Sequence, residues 1–155
     1  MGADHDHTDE LADREPYIRA SLEILACAIA RLRGKATTTD LNHELEAING
    51  DPDPIATMAG WRGAAEVFAP VPSGHTYAIA AVNPTTGQHV SLDKLPMGKR
   101  LSVRMEAALA NKDYDTARAL WVVATDRELQ DEVLLFVLMR AAQVIEPCTR
   151  LGGAE

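Results

Sequence analysis

One stretch of the sequence, residues 125–147 (TDRELQDEVLLFVLMRAAQVIEP), limits the fold more than any other. Thr125 and Glu128 match a capping box, in which each side chain bonds the other's free backbone N–H at a helix start. Pro147 predicts the helix end, because proline lacks an N–H and clashes with the preceding turn. The apolar run VLLFVLM between them leaves almost no polar side, and such a helix has to be buried. We therefore predict a central helix over residues 126–146.

Hydrophobic periodicity predicts further helices around it. Residues 15–33 carry an apolar seam at steps of four and three, which is typical of one helix face; it consists of Ile18, Leu22, Leu25, Ile29 and Leu32. The seam is shorter than the three to four heptads typical of a coiled coil, so packing within the fold is favoured over a dimer contact. Residues 37–49 predict a short helix capped by Thr39 or Asp40.

Three more helices follow from capping residues and spacing. Asp53 and Pro54 have the pattern of an N-cap and a first helical residue, so a third helix starts there. A fourth helix is expected after the connector 95–98 and runs to about Ala110. A fifth is expected to follow Asp113 as its cap.

Residues 76–92 have the pattern of a β-hairpin instead. Two apolar segments, TYAIAAV and QHVSL, flank the turn sequence NPTTG. The fold class is therefore predicted as α+β and predominantly α-helical. Five to six helices are expected to pack round the central helix 126–146, with the hairpin 76–92 on one side.

Length and charge set the domain organisation. The 155 residues suit one domain. Residues 1–14 are predicted to be an acidic, disordered tail, 15–147 a single globular domain, and 148–155 a loose C-terminal tail. The net charge is −8, and six acids against one base fall in the first 16 residues. An acidic chain is a poor default binder of nucleic acid, whose affinity depends on phosphate contacts.

Cysteine usage and hydropathy indicate the compartment. The chain has two cysteines, Cys27 and Cys148, in or beside apolar helical sequence, which indicates a reduced, cytoplasmic setting. No signal peptide and no transmembrane run are recognisable, so no membrane partner is expected.

The fourth and fifth helices resemble one helical hairpin of the tetratricopeptide repeat family. The resemblance covers about 25 residues and rests on the spacing of Leu101, Tyr114, Ala117, Trp121 and Ala124. Met105 replaces the small residue of the family's first helix, and Leu129 replaces its helix-ending proline. No second copy follows at the expected period, and any antiparallel helix pair gives the same pattern.

No motif in the sequence identifies a reaction. It lacks a G-x-S-x-G elbow, a phosphate-binding glycine loop, a C-x-x-C pair and a spaced metal-ligand set. No catalytic, cofactor-binding or metal-binding residue is therefore assigned. A small enzyme stays open as an alternative, because catalytic groups assemble from distant positions. It would require two or more of His43, His75 and His89 to converge in one pocket with a carboxylate.

A second alternative is a winged-helix-like transcriptional regulator. Three helices followed by a hairpin is the element order of that fold, with the third helix as the reader. From Asp51 to Ala69 the chain carries one base, Arg62, against three acids, Asp51, Asp53 and Glu66. A basic cluster follows the hairpin without an intervening acid, and we define it as the candidate binding surface: Lys94, Lys99, Arg100 and Arg104. It could contact DNA phosphates or an acidic protein.

The sequence as a whole favours a non-catalytic, cytosolic regulatory or adaptor protein. It would act through protein–protein interaction and use no cofactor. A helix as apolar as 133–145 also needs cover on all sides, which favours a homodimer. Nucleic acid is the less favoured partner.

Overall fold

A computed structural model describes residues 2–153 of the chain, and the side-chain surroundings of residues 14–149. Within this part the protein is mostly helical, with six α-helices and one small antiparallel sheet. The helices are α1 (Gly2–Leu32), α2 (Thr38–Glu46), α3 (Pro54–Phe68), α4 (Met97–Ala110), α5 (Tyr114–Asp126) and α6 (Gln130–Gly153). The strands β1 (Ala81–Val82) and β2 (His89–Val90) precede a short 3-10 helix, Leu92–Lys94.

Two helix starts are as expected from the sequence. The Asp53 side chain accepts a hydrogen bond from the Ala56 N–H at 3.1 Å, with Pro54 as the first residue of α3. The Asp113 carboxylate accepts from the Thr116 N–H at 3.3 Å and caps α5. Each carboxylate satisfies a backbone donor that has no partner inside the helix.

The cap of α2 differs from the prediction of Thr39 or Asp40. Thr37 is the N-cap; its hydroxyl accepts from the Asp40 N–H at 3.1 Å, and the Thr37 N–H donates to the Asp40 carboxylate at 2.8 Å. Asp40 is thus the reciprocal member of a capping box. These bonds to Thr37, from its backbone first and its side chain second, lower the pKa of Asp40.

The start of the predicted helix 126–146 is wrong. α5 continues to Asp126, and the Thr125 hydroxyl donates back to the Trp121 carbonyl at 2.9 Å, so it caps nothing. Glu128 has a φ of 57°, and the Leu129 N–H donates to the Ala124 carbonyl at 2.7 Å. A left-handed residue followed by such a backbone hydrogen bond is a common C-cap, and here it ends α5. α6 begins only at Gln130.

The predicted helix end at Pro147 is also wrong, because α6 passes through it to Gly153. Pro147 is exposed, so its ring lies on the outer surface of the helix. Neighbouring side chains bond to the carbonyls of this turn. The Thr149 hydroxyl donates to the Glu146 carbonyl at 3.0 Å, and the Cys148 thiol contacts the Val144 carbonyl at 3.5 Å.

The hairpin is present but much shorter than 76–92. Ala81 pairs with Val90 and Val82 with His89. Asn83 closes the turn, since its N–H donates to the Gln88 carbonyl at 2.9 Å and its carbonyl accepts from the Gly87 N–H at 2.8 Å. The residues before Ala81 are extended chain without a strand partner.

The packing face of α1 overlaps the predicted seam only in part, at Leu25 and Ile29. Ser21, Ile24, Leu25 and Ala28 are buried, whereas Leu22 is 62% exposed. The Trp61 indole N–H donates to the Ser21 carbonyl at 2.9 Å, which joins α3 to this face. The exposed part of the predicted seam therefore remains accessible to solvent.

Two arginines, one in α1 and one directly after it, form polar contacts with other parts of the molecule. Arg14 donates to the Thr57 hydroxyl at 3.2 Å and lies 3.7 Å from the Asp51 carboxylate. Arg33 lies 3.7 Å from the Glu146 carboxylate on α6. α1 and α6 both run across the predicted domain boundaries at 14 and 148, and that division of the chain stays a prediction.

The core lies where α6 contacts α1, α3, α4 and α5. α6 contributes fully buried apolar side chains: Val133, Val137, Leu138, Ala141 and Ala142. They pack with Ile24 of α1, Met58 and Trp61 of α3, and Met105 of α4. The small residues at 141 and 142 favour close packing of neighbouring helices against this part of α6.

Candidate binding groove

An open, largely apolar groove lies between α4, α6 and the extended segment 79–82, and we call it the binding groove. It has a volume of about 600 Å³. Leu135, Phe136 and Met139 form its α6 side, and Val103 lies on its α4 side. Most of the surface that a ligand would meet here is hydrocarbon.

The groove exists because α6 is apolar on more sides than its neighbours cover. Val133, Val137 and Leu138 point into the core and are fully buried. Phe136 and Met139 lie on the adjacent side of the helix and are only half-buried. Apolar area left in contact with water favours association, because its removal from water is favourable.

The two ends of the groove carry different charges. Glu132 and Lys99 lie at one end, and Arg140 and Gln143 at the other. Glu132 and Arg140 are eight residues apart on α6, which corresponds to about 12 Å along the helix axis. Gly98 allows the close approach of α4 at the acidic end, because a Cβ at this position would overlap the Glu132 carboxylate.

A buried charged cluster lies behind the basic end. Arg62 of α3 and Glu106 of α4 are 5% and 3% exposed, and their Nε and Oε1 atoms are 3.3 Å apart. The Arg62 guanidinium also lies over the Tyr77 ring, 4.7 Å from its centre. Burial raises the pKa of Glu106, and the positive charges of Arg62 and Arg140 oppose that shift.

Tyr77 attaches the extended segment to the helices. Its N–H donates to the Asn111 side-chain oxygen at 2.7 Å, and its carbonyl accepts from the Asn111 amide at 3.0 Å. Its hydroxyl accepts a long hydrogen bond from Arg140, at 3.5 Å. The position of the 79–82 wall thus depends on contacts made by Tyr77, two residues before it.

The basic residues predicted as a binding surface do not share one environment. Lys99 lines the binding groove, and Lys94 is exposed at the end of the 3-10 helix. Arg100 is half-buried in the first turn of α4. Arg104 lies 3.4 Å from the Asp93 carboxylate, so part of the positive charge is neutralised locally.

The residues considered for catalysis lie apart. His75 lines a polar depression with Glu66 and Asp113, and neither His43 nor His89 contributes to it. In the part of the chain that the structure describes, no three metal-ligating side chains converge. Burial, followed by the charges of Glu44 and Asp40, raises the pKa of the Cys27 thiol, so its reactive thiolate is disfavoured.

Four residues at the basic end of the groove were not predicted as site residues from the sequence. They are Arg62, whose burial was not expected, and Tyr77, Glu106 and Arg140. A signal was available for Glu106. It follows Met105 and lies one turn from Ser102 and Ala110, within the apolar face of α4. A charged residue inside an apolar face predicts a buried partner.

No protein-family model matches the chain, and no curated protein or solved structure matches it either. Between residues 2 and 153, no helix combines the length and hydropathy needed to cross a membrane. The function is therefore inferred from the geometry of the binding groove.

Proposed function

We propose that this protein is a non-catalytic, cytosolic regulatory or adaptor protein that holds a segment of a partner protein in the binding groove. The observation that carries the proposal is the open apolar side of α6, formed by Leu135, Phe136 and Met139. In this proposal α6 is the central helix of the fold. Its inner side supports the core, and its outer side serves the partner.

The charge around the groove favours an acidic amphipathic helix as the occupant. Lys99 and Arg140 line the groove, and Lys94 and Arg100 lie beside its α4 wall in sequence. The distance of about 12 Å between the two polar ends matches two helical turns. An amphipathic helix that lays its apolar face in such a groove is a common mode of peptide recognition.

The test is selection of peptides from a random helical library on the wild-type protein, followed by affinity measurement on Phe136→Glu. We expect selected peptides to be acidic on one face and to bind the variant at least tenfold more weakly, because a charge replaces apolar contact area. Val122→Glu is the matched control, since Val122 is an exposed apolar residue outside the groove.

Circular dichroism on both variants checks that the fold is retained. Peptides that bind wild type, Phe136→Glu and Val122→Glu equally would place the interaction elsewhere and refute the proposal. A selection that yields no specific peptide would refute it as well.

The winged-helix alternative stays a prediction. In that alternative the reader helix could not use its one arginine to contact DNA. Arg62 is buried against Glu106 and is not available to a phosphate. A salt titration with duplex DNA separates the two proposals. DNA binding requires an affinity that falls with salt and is lost when Lys99, Arg100 and Arg104 are changed to Glu.

A further inference from the structure

We infer that Arg140 recognises a carboxylate of the bound segment and thereby fixes the direction in which that segment lies in the binding groove. The inference rests on the proposed function and names the chemistry that the groove selects. It assigns to Arg140 a role in specificity, separate from the apolar contacts made by its neighbours on α6.

The hydrogen-bonding capacity of Arg140 is largely unused within the described residues. Its Nε is buried without a hydrogen-bond partner there, so a carboxylate in the groove would meet the two terminal nitrogens. Its bond to the Tyr77 hydroxyl is 3.5 Å long, at the outer limit for a hydrogen bond. A guanidinium has five N–H donors in a planar fork, and a carboxylate is the group that matches this fork with two parallel bonds.

The charges behind the groove also favour a carboxylate as the ligand of Arg140. Glu106 lies 3.3 Å from Arg62, so its charge is already shared with a closer guanidinium. Two guanidinium groups and one carboxylate leave one positive charge in excess at this end. An incoming carboxylate would balance that charge in a partly desolvated place, where electrostatic attraction is stronger than in water.

The opposite end of the groove determines the direction. Glu132 and Lys99 both line that end, so their charges cancel and an acid meets no net attraction there. An acidic group on the segment therefore interacts favourably at the Arg140 end, about 12 Å from Glu132 along α6. A segment with its acid at the wrong end would gain the apolar contacts but lose this interaction.

The experiment is a double-mutant cycle with the tightest peptide from the selection described above. Each acidic residue of the peptide is changed in turn to its amide, and both forms are titrated against wild type and Arg140→Gln. We expect one acid whose change to the amide weakens binding to wild type roughly tenfold or more. The same change should have little effect on binding to Arg140→Gln.

Two control variants separate direct recognition from general attraction. Lys99→Gln removes one positive charge at the other end and should weaken acid and amide forms of that peptide residue by the same factor. Tyr77→Phe removes the hydroxyl that contacts Arg140 and should leave the preference for the acid intact.

The possible outcomes distinguish a failure of the inference from a failure of the proposed function. If the acid-to-amide ratio is unchanged in Arg140→Gln, the inference is wrong, while groove-dependent binding still supports the proposed function. If the ratio falls equally in Lys99→Gln, general electrostatics explains the preference and the inference is again wrong. If the selected peptides are insensitive to Phe136→Glu, the proposed function and the inference both fail.

Discussion

Glu106 is the residue whose environment differs most from that expected of a surface side chain. Burial raises the pKa of Glu106, and the nearby guanidinium groups partly oppose this shift. Its Oε2 has no hydrogen-bond partner among the described residues. A buried ion pair of this kind contributes little net stability, because desolvation of the two charges offsets their attraction.

Glu106→Gln tests this balance through the pH dependence of stability. A carboxyl whose folded pKa is raised stabilises the fold fully below the unfolded pKa, about 4.3, and that contribution is lost as pH rises through the folded pKa. Relative to Glu106→Gln, wild type should lose about 1.4 kcal/mol for each unit by which the pKa of Glu106 is raised. Urea denaturation at a series of pH values measures the difference.

Arg62→Met provides the control for that titration. It removes the nearest positive charge, so the pKa of Glu106 should rise further and the loss of stability should extend to higher pH. Parallel pH profiles for wild type and Glu106→Gln would show that the carboxyl titrates as an exposed group does, contrary to the structure.

Short-range capping rules predict the starts of α3 and α5, but they fail where one side chain has two possible partners. Asp53 and Asp113 cap their helices as the sequence predicts. Thr125 fits the same rule, yet its hydroxyl bonds back to Trp121 and α5 continues past it. The local pattern does not distinguish these uses, because the choice depends on how α5 closes against α6.

Thr37→Ala tests the cap that the sequence analysis placed wrongly. Loss of the hydroxyl leaves the Asp40 N–H without its side-chain partner, so we expect a loss of about 1 kcal/mol in the free energy of unfolding. Thr39→Ala is the matched control, because Thr39 is an exposed threonine inside the first turn of α2. Chemical denaturation of the three proteins measures the difference. An equal loss in both variants would contradict the assignment of Thr37 as the cap.

At the scale of the whole molecule, periodicity was sufficient to predict a mostly helical chain with one hairpin. The pattern did not show which face of α1 enters the core, since Ser21 and Ala28 are buried while Leu22 is exposed. The binding groove could not be predicted from the sequence either. It arises from one uncovered side of a helix whose residues 133–139 are apolar without interruption, and no pattern of period 3.6 marks that side.

The homodimer was predicted as cover for the apolar helix 133–145, not as a contact of the α1 seam. Because the proposed function gives the open side of α6 to a partner, we place the dimer contact at the exposed part of the α1 seam. Ile18 is 39% and Leu22 62% exposed, and both belong to a spacing that suits a pair of helices. We expect the wild-type protein to dimerise, and Leu22→Glu to weaken dimerisation at least tenfold, because it places two charges in one apolar contact. Sedimentation equilibrium across a range of concentrations measures both.

Val122→Glu on α5 is the matched control for this test, with a similar exposed fraction of 59%. It should leave the association constant unchanged. A wild-type chain that stays monomeric throughout the concentration range would contradict the dimer. Equal weakening by Leu22→Glu and Val122→Glu would show that the contact is not α1.

The 79–82 wall of the binding groove has an evolutionary consequence. It is extended chain attached through Tyr77 and Asn111, and none of its residues is buried in the core. Substitutions at these positions change the width and chemistry of the groove at little cost in folding stability. Selection for a new partner can therefore act on this wall while the helices that support it stay the same.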